Sequence, residues 1–109
     1  MIVREDMGLA EVDRAACIKE LIRGARRYQT AAKQDMNPFI AMRHNGYAVA
    51  LIDAAMNIST EEEVKEITGE SLKELRKDIL DLQDRHEALA LQVARDIKKM
   101  GIKLPFEIP

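Results

Sequence analysis

Tryptophan is absent, aromatic residues make up only 4% of the chain, and there is one cysteine, Cys17. A single thiol excludes a disulfide framework and any zinc centre built on several thiolates. Five glycines and three prolines in 109 residues form no linker, and the chain has no internal repeat or low-complexity stretch to mark a domain boundary. No apolar run reaches the roughly 18 residues of a membrane-spanning helix. Residues 1–13 carry four acids against one base, Arg4. They show no apolar core of a secretory signal, so the expected location is the cytoplasm, with no membrane partner. The net charge of −2 gives the chain as a whole no affinity for polyanions.

What remains is 47% hydrophobic and 33% charged, a balance that supports a packed core. Alanine, leucine, isoleucine, methionine, glutamate, lysine and arginine dominate, residues that lose little freedom in a helix. No hairpin dipeptide interrupts them. The expected fold is all-α, a single domain over residues 1–109. It is an antiparallel bundle of three long helices and one short connecting helix, followed by an extended apolar C-terminal arm.

The helices are expected at residues 9–33, 38–56, 61–68 and 71–100, with a tail over 101–109. In the first, Ala15, Ile18, Leu21, Ile22, Ala25, Tyr28 and Ala32 form one stripe at helical spacing, and Asp6 is placed to cap it. Asn37 and Pro38 open the second, as cap and first helical residue. That helix is apolar nearly all round: Ile40, Tyr47, Leu51 and Ala55 on one side, Met42, Val49, Ile52 and Met56 on another, with a polar edge of Arg43, Asp53 and Asn57. Such a helix is central and wants neighbours on at least two sides. Thr60 with Glu63 and Ser71 with Glu74 read as capping boxes, and Gly69 and Gly101 as left-handed stops. In the last helix Leu72, Leu75, Ile79, Leu82, His86, Leu89, Val93 and Met100 form a near-heptad seam that Asp96 breaks and Ile97 continues. A second stripe, Leu80, Leu91 and Ala94, points elsewhere. In the tail, Ile102, Leu104, Phe106 and Ile108 alternate with polar residues and prolines, the pattern of an arm that docks in a groove.

Few residues offer chemistry. His44 and His86 both fall in apolar arcs, and the positions three before them are Ala41 and Gln83, so the Glu-x-x-His pairs of di-iron bundles are missing. The expected role of each is a polar core position that fixes register. Cys17 reads as a small filler at the edge of the first stripe. Four carboxylates are the candidate metal ligands: Glu63 and Glu66 in Glu-Val-Lys-Glu, and Asp78 and Asp81 in Asp-Ile-Leu-Asp. Paired acids at this spacing resemble those of the all-α nucleoside triphosphate pyrophosphatases, which coordinate magnesium through Glu-x-x-Glu and Glu-x-x-Asp. The resemblance stops at the two pairs, the second of which opens with Asp rather than Glu. It implies a magnesium-dependent nucleotide pyrophosphohydrolase. The competing explanation is the helix dipole, which favours acids early in a helix and bases such as Arg95, Lys98 and Lys99 late.

Charge is spread unevenly. Residues 14–33 hold six bases against one acid, whereas residues 61–87 hold ten acids against five bases. Lys19, Arg23, Arg26, Arg27 and Lys33 make a basic face opposite the first core stripe. That face suits nucleic-acid phosphates, an acidic protein partner, or solvent alone. The expected function is a non-catalytic, oligomeric interaction or assembly module without a cofactor. A nucleic-acid-associated protein and the magnesium-dependent phosphohydrolase are the alternatives. The partner expected first is a second copy, a twofold dimer, with Leu80, Leu91, Ala94 and Phe106 at the interface. This follows from more apolar helix surface than one chain can cover.

Overall fold

The computed structural model describes residues 7–103 and 105, with side chains from Asp13 onward. Asp6, Leu104 and Phe106, and with them the cap of the first helix and most of the C-terminal arm, lie outside the described residues. Four helices follow in order: α1 (Met7–Gln34), α2 (Pro38–Ile58), α3 (Glu61–Thr68) and α4 (Leu72–Lys99). Among the described residues there is no strand, and the helices pack against one another as a bundle.

Local chemistry sets the boundaries. The Asn37 side chain accepts the backbone N–H of Phe39 at 2.9 Å and of Ile40 at 3.4 Å, and Pro38 follows at the first helical position. Thr60 and Glu63 form the reciprocal capping box that opens α3, and Gly69 ends it at φ 78°. A positive φ is tolerable there because glycine has no Cβ. At Ser71 only half of the second box forms: its hydroxyl accepts from the Glu74 N–H at 3.3 Å. Glu61 reaches across instead, its carboxylate accepting from the Ser71 hydroxyl at 2.7 Å and the Lys73 N–H at 3.1 Å.

α2 is the central element. On one side it runs antiparallel to α1: Tyr28 meets Tyr47, and Arg14 donates to the Ile58 carbonyl at 2.9 Å. On the other it runs antiparallel to α4: Asn45 meets His86, and Asp53 meets Arg76. α1 and α4 thus bury Ala41, Asn45, Ala48, Ile52 and Ala55 of α2, while Phe39, Ile40, Tyr47, Met56 and Ile58 stay 39–48% exposed. The main core gathers Ile18, Ile22, Ile52, Val64, Leu75 and Ile79, all buried, at the α3 end. At the opposite end the buried residues are small or polar: Ala32, Ala41, Ala90, Ala94, Gln29 and Asn45. Small side chains bring helices close and bury little apolar area. Extents of 64 × 31 × 22 Å make the molecule elongated. α4, with 28 residues, is about 10 Å longer than α2, with 21.

Candidate functional site

The four candidate metal ligands are not gathered. One Glu63 oxygen accepts from the Thr60 backbone N–H at 3.1 Å, and the other pairs with Arg14. Arg14 and the cap together hold the Glu63 carboxyl below its usual range. Asp81 pairs with Lys77 at 3.0 Å, whereas Glu66 and Asp78 are exposed. Among the described residues no group of three or more histidines, cysteines, aspartates or glutamates is placed to hold a metal ion.

The basic face is also partly engaged. Arg26 clasps Glu70 in a fork, Nε to Oε2 at 2.5 Å and Nη2 to Oε1 at 2.6 Å, and its Nη1 donates to Gln29 at 3.0 Å. The paired hydrogen bonds raise the guanidinium pKa and lower that of the carboxyl. Arg23 pairs with Glu20 along α1 at 2.8 Å. Lys19, Arg27 and Lys33 are exposed.

The two histidines stand on different sides of α2 with separate partners. Nδ1 of His44 lies 2.6 Å from the Asp35 carboxylate. Its ring stacks on Tyr28 at 6.0 Å and meets Tyr47 edge-on at 6.3 Å. This polar cluster ties the end of α1 to the start of α2. Nδ1 of His86 lies 2.8 Å from the amide nitrogen of Asn45, which is fully buried. The amide donates, so neutral His86 carries its proton on Nε2. The Asn45 carbonyl oxygen is left buried without a protein partner. Cys17 is exposed rather than a core filler, because the edge of the α1 stripe where it lies is not covered.

The expected interface stripe is also revised. Ala94 is 1% exposed, covered within its own chain, and Leu80 and Leu91 are half-buried. Leu80 lines a shallow hollow with Met56, Lys73, Arg76, Lys77 and Asp81. The open apolar surface of α4 is the second half of the heptad seam. Leu72, Leu75, Ile79 and Leu82 are buried, whereas Leu89 is 56%, Val93 36% and Met100 74% exposed. One stripe passes from core to surface at the half-buried His86. Periodicity placed all of these residues on one face. In the second half the buried positions are Ala90 and Ala94 instead, a turn of the covered face that a strict seven-residue repeat does not carry.

Comparison with protein families, curated proteins and solved structures found no match for this chain.

Proposed function

We propose that this protein is a non-catalytic assembly module whose partner is a second copy of itself, joined through the second half of α4. The observation that supports this is the seam, buried through Leu82 and open at Leu89, Val93 and Met100. A leucine or valine moved fully from water into an apolar contact contributes roughly 1.5–3 kcal/mol. A twofold axis doubles every such contact. The engagement of Glu63 by Arg14 and Thr60 weighs against the magnesium-dependent reading. The hold of Glu70 on Arg26 removes the best-formed phosphate fork from the nucleic-acid reading.

Light scattering tests the proposal. The wild-type chain is expected at twice its monomer mass, and Leu89→Glu at the monomer mass with unchanged helical circular dichroism. A wild-type monomer at high micromolar concentration ends the assembly reading. Retention of the protein on RNA or DNA, lost when Arg23, Arg27 and Lys33 become alanine, would restore the nucleic-acid alternative.

A further inference from the structure

Resting on the assembly reading, we infer that the two α4 helices pair antiparallel, with His86 of each chain facing Asp96 of the other. Two features of the seam lead there. The first is steric. Leu72, Leu75 and Ile79 form one core with Ile18, Ile22 and Val64 of the same chain. Parallel pairing along one seam would set these covered halves side by side, and two copies of α1 would compete for a single gap. Antiparallel pairing sends each covered half past the end of the other helix, so only the open halves meet.

The second feature is charge. Asp96 occupies a seam position, is exposed, and bonds only along its own helix, accepting from the Gln92 amide at 2.9 Å. Parallel pairing stacks Asp96 on its symmetry mate within an apolar strip, and His86 on its own mate. Like charges so placed are strongly disfavoured. Antiparallel coiled coils set the first core position of one heptad against the fourth of the other chain. Applied here, Leu89 meets Val93 of the second copy, and His86 meets Asp96. Each layer then occurs twice. Asn45 already occupies Nδ1 of His86, which leaves the Nε2 proton of this half-buried imidazole for the incoming carboxylate. The residue that breaks the heptad in one chain becomes the hydrogen-bond acceptor that sets register in the pair.

Two measurements on the full chain, with Cys17→Ser as background, test this. Lys77→Cys carries a nitroxide on an exposed position outside the seam, where labelling leaves the pair intact. Antiparallel register sets the two labels about 42 Å apart along the axis, from the helical rise of about 1.5 Å per residue. A parallel pair brings them within about 25 Å. In the second measurement, Leu89→Cys and Val93→Cys chains are mixed and equilibrated in a glutathione buffer. Mixed disulfides are expected to exceed both homodisulfides by tenfold or more, since only facing residues satisfy disulfide geometry. A dimer with the short label distance, or with homodisulfides dominant, overturns the register and leaves the assembly reading standing. A monomeric mass in the unlabelled protein overturns both. A dimer with the long distance but no mixed disulfide places the contact elsewhere and also overturns the register.

Discussion

Two helical glycines show how far local context decides the value of one residue type. A methyl group on Gly24 of α1 would sit 2.7 Å from Cδ1 of Leu51 on α2, whereas one on Gly46 would meet nothing within 4 Å. Gly46→Ala is therefore expected to stabilise the fold by about 0.5–1 kcal/mol through helix propensity alone. Gly24→Val is expected to destabilise it by about 1–3 kcal/mol, because the Leu51 side chain must give way and two further methyl groups need space beside it. Urea denaturation of the two variants checks these opposite signs. Neither sign was legible in the sequence, where both glycines sit inside apolar helices. Histidine shows the same limit. The sequence placed His44 and His86 in apolar arcs, and each found one polar partner, but Asp35 and Asn45 are identifiable only once α2 is docked.

At the scale of elements, what could be read from the sequence is what is written locally. Asn37, Thr60, Ser71 and Gly69 act within three residues of themselves, and the helix ends fall where they stand. The ties that hold α3 in place span much longer separations. Arg26 reaches Glu70 across 44 positions and Arg14 reaches Glu63 across 49, so from the sequence Glu63 stood as a candidate metal ligand and Arg26 as part of a basic face. The Arg26–Glu70 clasp fastens the α3–α4 link to α1. Because the folded Glu70 carboxyl titrates below its ordinary value of 4.5, the clasp stabilises fully above that value. Its contribution is lost as pH falls through the lower folded value. Both partners are partly exposed, so the contribution is at most about 1 kcal/mol. Glu70→Gln is expected to lower the thermal midpoint by a few degrees at pH 7 and by less at pH 3, followed by circular dichroism. Thr60→Ala, which removes the cap of α3, is expected to cost about 1 kcal/mol at neutral pH.

For the whole molecule, the sequence pointed to more apolar surface than one chain covers, and the structure relocates that surface. α2 suggested a surplus because it is apolar on nearly every side; α1 and α4 bury its small residues and Ile52, and leave Ile40, Tyr47 and Met56 exposed. A further part of the surplus lies on α4, on the seam first assigned wholly to the core. In the second half of α4 the face buried within the chain is that of Ala90 and Ala94, and Leu89, Val93 and Met100 lie outside it. Among the described residues no helix is long and apolar enough to cross a membrane, so lipid spanned by a helix is not what these side chains meet. An apolar pairing surface predicts that the mass measured by light scattering stays unchanged between about 0.05 and 1 M salt. A pair held by charged faces would dissociate across that range as screening shortens to about 3 Å.

The passage of one stripe from interior to exterior at His86 also governs motion. Leu89, Val93 and Met100 leave one side of the final turns of α4 open, so under the proposed pairing their backbone amides gain protection from deuterium when a neighbour binds. Dilution should therefore speed exchange in the last third of α4 and leave the amides around Leu75 and Ile79 unaffected. The stiffness of that helix end becomes a readout of how crowded the protein is.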